Sequence, residues 1–257
     1  MYRTRTLIHF HIFKNAGTSI DASLKRCFGK RWTTFEGANA HDLRSSEQLA
    51  QFMAANPHVR AISSHLVRPP LPTPDCLPIV FIRHPLLRAY SVYQFTRNDP
   101  SQPFSHVAKD YDFSDYIRWA LEEAPGSIVI RDYQVVHLSD ASWRCDHILD
   151  ARAAERDLEQ ATALLDHWGM AGVVEEFDRS IDAYQALYGP LQPDLSLGYD
   201  RENVSETGSH PADIRLEQLG SLLGKELRQR FMEANVLDLA LHTHARQLLN
   251  RAYPLRR

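Results

Sequence analysis

The chain has few cysteines and few long apolar runs, and its positive and negative charges nearly balance. Its 257 residues contain only three cysteines. Their odd number and the lack of metal-ligand spacing predict free thiols in a reducing compartment rather than a disulfide framework or a zinc site. The formal net charge is −3, so a nucleic-acid-binding surface driven by bulk charge is not expected. The cysteines are Cys27, Cys76 and Cys145.

The N-terminal apolar run is short, and His9 and His11 interrupt it. Such a run is too short to cross a membrane and lacks the composition of a signal peptide. We therefore expect a cytoplasmic protein with no integral membrane segment and no nucleic-acid partner. The oligomeric state cannot be derived from the sequence.

The first motif joins a strand-like run to a helix start. Residues 6–13 have the apolar character of a buried strand and lead into Lys14-Asn15-Ala16-Gly17-Thr18-Ser19, after which an apolar helix face follows. At a helix start, backbone N–H groups and the positive end of the dipole point at one spot. Lys14 adds a mobile charge, and Gly17 permits close approach of the backbone. The pattern predicts an anion cradle, and an ordinary capped turn is the alternative.

The second motif repeats this arrangement. Residues 77–82 read as a buried strand, which ends in Arg83-His84-Pro85, and the helix-like residues 86–95 carry Ser91 about two turns along. Open α/β sheets bind their ligands at the carboxyl ends of the strands. Two such junctions with cationic and hydroxyl groups predict a ligand with two separated phosphates.

Both motifs carry a family resemblance. Residues 11–19 resemble the 5′-phosphosulfate-binding loop of sulfotransferases that use 3′-phosphoadenosine 5′-phosphosulfate (PAPS). The similarity is greatest to the carbohydrate branch, which contains the heparan and chondroitin sulfotransferases and bacterial relatives. Residues 82–91 are similar to the 3′-phosphate motif of that family, an Arg-x-Pro stretch with a serine eight residues after the arginine. At position 84 a histidine replaces the more frequent aspartate.

The resemblance implies a PAPS-dependent enzyme that releases adenosine 3′,5′-bisphosphate (PAP) and needs no metal. Lys14 is implied as the group that stabilises the bridging oxygen and the moving sulfuryl group. Residues 16–19 would hold the 5′-phosphate, and Arg83 with Ser91 the 3′-phosphate, while a loop at 203–205 would fold over the nucleotide. The implied donor-binding residues are Lys14, Asn15, Ala16, Gly17, Thr18, Ser19, Arg83, Ser91, Asn203 and Ser205.

A general base must lie near the acceptor hydroxyl. His65 follows a short strand-like run and precedes an Arg-Pro-Pro loop, which predicts a place at the carboxyl edge of the sheet. Relatives with a histidine base carry it in a similar place, between the two phosphate motifs. A histidine that titrates near neutrality suits removal of a sugar proton. Two alternatives stay open: His65 only fixes its loop, or His41 is the base.

Alternation of strands and helices predicts a parallel sheet covered on both faces. We expect an α/β fold, which the resemblance specifies as a P-loop-like three-layer sandwich, with a helical C-terminal part. One domain is expected over residues 1–257, with nucleotide-binding motifs in 1–100 and C-terminal helices in 205–257. Turns are predicted over 29–45, a loop over 97–112, and solvated surface charge at Arg68, Arg88 and Arg97.

These features favour in-line transfer of a sulfuryl group from PAPS to a carbohydrate hydroxyl, with a histidine as general base. A nucleoside-triphosphate phosphotransferase is one alternative, but the chain has no Gly-Lys-Ser/Thr triplet and no evident metal-binding acid near the first loop. A non-catalytic nucleotide-binding module is another, against which Lys14 and the candidate base argue. The identity of the acceptor and the position sulfated are not encoded in any motif.

Overall fold

A computed structural model describes residues 5–39, 41–122, 129–145, 148–198 and 211–254. The chain divides into two compact units. Unit 1 comprises Met1–Ile82, Thr162–Glu202 and Thr243–Arg257, and unit 2 comprises Arg83–Ala161 and Asn203–His242. The single domain expected over residues 1–257 stays a prediction.

Unit 1 is built on a parallel five-stranded sheet with the order β2-β3-β1-β4-β5. The strands are β1 Thr6–Phe10, β2 Trp32–Thr34, β3 Ala61–Ser64, β4 Cys76–Ile82 and β5 Gly172–Val173. Strand β1 lies in the centre, where Phe10 is in register with Ser64 of β3 and with Val80 of β4. Every residue of β1, β3 and β4 is buried, as the continuous apolar runs of a parallel sheet require.

Helices flank the sheet and dominate the C-terminal part, so the predicted fold class is confirmed. The helices are α1 Gly17–Phe28, α2 Ser46–Ala55, α3 Pro85–Asn98, α4 Ser105–Asp110, α5 Phe113–Glu122, α6 Tyr133–Leu138, α7 Glu155–Trp168, α8 Phe177–Tyr188, α9 Ala212–Glu233 and α10 Val236–Ala252. Short 3₁₀ segments cover Gly29–Arg31, Asp140–Trp143, Ile148–Asp150 and Val174–Glu176. Over the described ranges, no helix combines the length and the hydropathy that a bilayer crossing demands.

Local structure departs from the sequence-based expectation in three places. Residues 29–45 contain β2, which pairs with β3 and is too short to give a periodic signal. The predicted loop over 97–112 contains α4. Strand β1 ends at Phe10 instead of continuing to residue 13, because the backbone N–H of Ile12 turns back to the carbonyl of Phe10 at 2.9 Å.

Two arginines expected at the surface are buried. In unit 2, Arg88 is 1% exposed, and its guanidinium lies 4.7 Å from the centroid of the Tyr133 ring. In unit 1, Arg68 is 3% exposed and donates to the carbonyl of His65 at 2.9 Å. A guanidinium tolerates burial when an aromatic face or backbone carbonyls replace its water. Arg97 is exposed, as predicted.

The Tyr184 hydroxyl of α8 joins β4 to β5. It donates to the carbonyl of Val80 at 2.8 Å and accepts from the N–H groups of Val80 at 3.1 Å and Gly172 at 3.2 Å. The side chain is fully buried, and burial raises the pKa of Tyr184 above its ordinary value. One phenol therefore serves three backbone groups at the edge where β5 begins.

We predict that Tyr184→Phe lowers the free energy of unfolding by about 1–3 kcal/mol, because two buried N–H groups lose their acceptor. Urea denaturation followed by circular dichroism measures the loss. Tyr111→Phe is the matched control, since Tyr111 is 41% exposed and its change is expected to stay within about 0.5 kcal/mol. Equal stability of the two variants would contradict the role given to the Tyr184 hydroxyl.

Candidate functional site

The loop between β1 and α1 has an unusual backbone. Lys14 has φ 65° and Ala16 has φ 62°, so two residues with a β-carbon adopt the left-handed conformation. Each such residue costs on the order of 1–3 kcal/mol and persists only where its surroundings hold it. Asn15 between them is buried, and its Nδ2 donates to the carbonyl of Phe81 in β4 at 2.7 Å. The loop is thereby fixed to the neighbouring strand.

The start of α1 is suited to an anion. Ala16 occupies the N-cap position, and its methyl side chain makes no capping hydrogen bond. The first-turn N–H groups of a helix have no intrahelical acceptor, and alternating left-handed residues turn further N–H groups towards one concavity. Thr18 is exposed and Ser19 partly exposed. Together with Lys14, these residues form a cationic, hydroxyl-bearing helix start.

Gly17 is required by the side chain of His11. A β-carbon at position 17 would lie 2.0 Å from both Cδ2 and Nε2 of the His11 imidazole. Real β-carbons do not approach other atoms so closely, so residue 17 can have no side chain while His11 keeps its place. The glycine at position 17 therefore makes room for the His11 ring.

Three histidines of unit 1 form a stacked column. The His11 ring lies 3.8 Å from the His65 ring and 5.2 Å from the His9 ring, centroid to centroid. Asp21 of α1 anchors the inner two: its Oδ1 contacts Nδ1 of His9 at 2.8 Å, and its Oδ2 contacts Nδ1 of His11 at 2.9 Å. Both carboxylate oxygens are thus engaged by imidazoles from β1 and the residue after it.

The pKa values of His11 and Asp21 determine the charges of these two groups at neutral pH. The pKa of His11 is lowered to about 4, mainly because the ring is buried; positive charge on His9 and His65 acts in the same direction, while the hydrogen bond to Asp21 opposes the shift. For Asp21, burial alone would raise the pKa, but the hydrogen bonds with His11 and His9 together lower it below its ordinary value. At neutral pH, His11 is therefore an uncharged imidazole and Asp21 a carboxylate.

The same inner residues are close enough to hold a metal ion. The ligand atoms of His9, His11 and Asp21 lie within 4.8 Å of one another. In this structure the imidazole nitrogens contact the carboxylate directly, which gives each group a partner without an ion. The expectation that the protein needs no metal stays a prediction.

The candidate base His65 directly follows β3. Its Nδ1 lies 3.0 Å from Oε1 of Glu36, and its backbone N–H donates to the same oxygen at 3.0 Å. The side chain is 46% exposed, so solvent reaches the ring. His41, the alternative base, is exposed in a turn where its backbone N–H donates to Oδ1 of Asn39 at 2.9 Å. Of these two, His65 is the one in stacking contact with His11.

The second motif lies in unit 2. Gln134 of α6 brackets Arg83: its Oε1 accepts from the Arg83 N–H at 2.8 Å, and its Nε2 donates to the Arg83 carbonyl at 2.9 Å. Nε2 also donates to Oδ2 of Asp238 at 3.0 Å. Gln134 and Asp238 are both fully buried. The backbone of Arg83 is therefore held by a buried polar network.

Another acid completes this network. Asp132 accepts from the backbone N–H of Asp238 at 2.8 Å. Burial and the neighbouring charge of Asp238 raise the pKa of Asp132 to about 7. Burial also raises the pKa of Asp238, while the charge of Arg88 opposes that rise.

His84 has a clear structural role in place of the family's aspartate. It is the N-cap of α3, and its Nδ1 accepts from the N–H of Leu86 at 3.2 Å, which is the contact that a capping aspartate makes. Pro85 occupies the first helical position, where its missing N–H costs nothing. Ser91 lies further along α3 and is partly exposed.

The structure adds residues that sequence reasoning missed. Glu36 and Gln134 contact the predicted site residues His65 and Arg83, and Asp21 contacts His11, yet none of the three stands in a recognisable motif. Along the chain, Glu36 lies 29 positions from His65, Asp21 lies 10 from His11, and Gln134 lies 51 from Arg83. The tertiary fold brings these residues together. Asn203 and Ser205, which were predicted to cover the nucleotide, lie outside the described residues.

We predict that Gly17→Ala destabilises the protein by about 1–3 kcal/mol, because the new methyl group must displace a ring fixed by Asp21 and by stacking. Gly198→Ala is the control, since the nearest atom there, Nη2 of Arg26, would lie 3.9 Å away. Thermal and urea unfolding measure both. The double variant with His11→Ala should lose less than the sum of its parts, and strict additivity would contradict the clash.

Comparison with known proteins identifies the family to which the chain belongs. The model of the Sulfotransferase family matches residues 1–185. An uncharacterized protein of Archaeoglobus fulgidus is 27% identical over 243 residues, which cover 91% of this chain and 93% of that protein. No solved structure gives a significant match. The family match covers both phosphate motifs and most of the chain, and the chain belongs to the Sulfotransferase family.

Proposed function

We propose that this PAPS-dependent sulfotransferase transfers the sulfuryl group to a hydroxyl of a carbohydrate and uses His65 as its general base. Family membership supplies the reaction class and the donor. The observation that carries the proposal for the base is the position of His65, which stacks on the ring that packs against Gly17. That chain of contacts connects the candidate base to the candidate donor loop.

The donor loop is the stretch from Lys14 to Ser19. When bound, PAPS supplies an activated sulfuryl group on its 5′-phosphate. The start of α1, where the N-cap residue Ala16 makes no side-chain cap, and the left-handed backbone at Lys14 and Ala16 fit an anion, because the first-turn N–H groups point towards the helix start. We assign the 5′-phosphate to the backbone of residues 16–19 and to the hydroxyls of Thr18 and Ser19. Asn15 serves the loop through its bond to β4.

We assign to Lys14 the stabilisation of the negative charge that develops on the bridging oxygen during transfer. As the bond between sulfur and the bridging oxygen breaks, the electron pair stays on the phosphate oxygen, and an ammonium group beside it stabilises that charge. The acceptor oxygen forms the new bond to sulfur and gives up its proton. His65 takes this proton and later releases it to solvent. The products are a sulfate ester and PAP.

The 3′-phosphate is assigned to Arg83 and Ser91 of unit 2. A guanidinium makes paired, charge-assisted hydrogen bonds to phosphate, and a hydroxyl adds one more. The bracket from Gln134 keeps the Arg83 backbone fixed, which lowers the cost of ordering its side chain. By family resemblance, we also propose that Asn203 and Ser205 contact the nucleotide.

The acceptor class rests on the resemblance of residues 11–19 and 82–91 to the carbohydrate branch. Transfer to a sugar hydroxyl needs one proton acceptor, for which we propose His65, and the proposed reaction requires no metal. The scarcity of cysteine supports a reducing compartment, such as the cytoplasm, as the place of reaction.

Calorimetry and transfer assays test the function together. We expect PAP to bind the wild-type protein, and Arg83→Ala to weaken PAP binding by about 10–100-fold while adenosine 5′-phosphate changes little. Labelled PAPS incubated with a panel of glycans should then give a sulfated product that mass spectrometry identifies. Absence of PAP binding would overturn the donor assignment, and label on no glycan would overturn the acceptor class.

Replacing Lys14 should separate chemistry from binding. We expect Lys14→Ala to lower kcat by about 100-fold or more, because one stabilising charge is lost from the transition state. PAP binding should remain measurable, since the backbone N–H groups stay in place. Lys25→Ala, at an exposed position of α1, is the control and should keep wild-type turnover. Unchanged turnover in Lys14→Ala would remove the residue from the mechanism.

A further inference from the structure

We infer that Glu36 is a positioning residue for His65: it selects the tautomer of the imidazole and, with His11 stacked against the ring, fixes the direction in which Nε2 points. This inference rests on the proposed function, because it presumes that His65 accepts the proton. It adds a role for a residue that neither phosphate motif contains.

Glu36 is itself held in place by the edge of the sheet. The backbone continues the pairing of β2 with β3, since the N–H of Phe35 donates to the carbonyl of Ser63 at 3.0 Å. The Ser64 hydroxyl donates to the carbonyl of Phe35 at 2.5 Å, and Nη2 of Arg44 donates to the carbonyl of Glu36 at 3.0 Å. The carboxylate therefore approaches His65 from a fixed backbone.

The contacts with Glu36 decide where the proton of the neutral His65 ring resides. A carboxylate only accepts hydrogen bonds, so Nδ1 at 3.0 Å from Oε1 must carry the hydrogen. Nε2 then has the lone pair that a general base needs. The backbone N–H of His65 binds the same carboxylate, which prevents Glu36 from turning away. The tautomer follows from this network of contacts.

His11 supports the ring from its inner face. The two rings are nearly parallel, at 27°, with centroids 3.8 Å apart, and His11 is backed by Gly17 and held by Asp21. Because burial lowers the pKa of His11 to about 4, the His11 ring carries no charge when His65 becomes positive during the reaction. A second cation at this distance would oppose proton uptake.

Two carboxylates lie near the His65 ring. Glu36 faces the ring directly, and Asp21 lies behind His11. Arg68 donates through its Nη1 to the His65 carbonyl at 2.9 Å. The carboxylate thus has a second effect beyond orientation, because it stabilises the imidazolium as the acceptor proton arrives.

The test compares Glu36→Gln with His65→Ala in the transfer assay. Glutamine keeps the size of the side chain but removes its charge and can present N–H₂ to Nδ1, which would place the ring hydrogen on Nε2. We expect kcat to fall roughly 10²–10⁴-fold, with PAP affinity and thermal stability near wild type. The KM for PAPS should stay near its wild-type value, so that the loss appears in kcat alone. Glu47→Gln, at an exposed position in the first turn of α2, is the charge-matched control.

The outcomes separate this inference from the proposed function. If His65→Ala loses turnover while Glu36→Gln keeps wild-type kcat, the role of Glu36 is wrong and the base assignment stands. If His65→Ala is fully active, the base assignment is wrong and this inference fails with it. A Glu36→Gln variant that loses stability and PAP binding in parallel with kcat would show a purely structural residue. Loss of kcat alone supports positioning.

Discussion

The packing of the His11 imidazole against Gly17 is the contact on which the site in unit 1 depends. The ring occupies the space where a side chain of residue 17 would lie, and Asp21, about one turn further along α1, holds it there. One helix therefore supplies both the space for the ring and its anchor. His65 then stacks on the outer face of the same ring. The loop, the helix start and the candidate base are thus located by one side chain.

The strained loop is stabilised by its neighbours in the sheet. Left-handed conformations at Lys14 and Ala16 disfavour the folded state, and the buried amide of Asn15 offsets part of that cost by binding the carbonyl of Phe81. That bond is possible because β1 and β4 are adjacent and parallel, so their carboxyl ends meet at one edge. Strand order and loop geometry are therefore parts of one arrangement.

Features encoded within a few adjacent residues could be predicted from the sequence. The start of α2 follows from its capping box, in which Ser45 and Gln48 bind each other's backbone N–H, and the buried strand β4 follows from its apolar run. Partners distant in the chain could not be predicted, because no local pattern links Glu36 to His65. The burial of Arg88 could not be predicted for a related reason. A charged residue on a helix is expected to face solvent unless the residues packed around it are known.

The two phosphate motifs use their helix starts differently, and this difference bears on how each binds. At α3 the His84 ring already accepts from the N–H of Leu86, so part of the helix start is occupied by the protein itself. At α1 the N-cap residue is Ala16, whose side chain makes no such bond. Under the proposed function, an anion at α1 would bind backbone N–H groups directly, whereas the 3′-phosphate at the second motif would depend more on the side chains of Arg83 and Ser91. The histidine at position 84 is compatible with such binding, because the cap it provides orders α3 without adding a negative charge beside the anion.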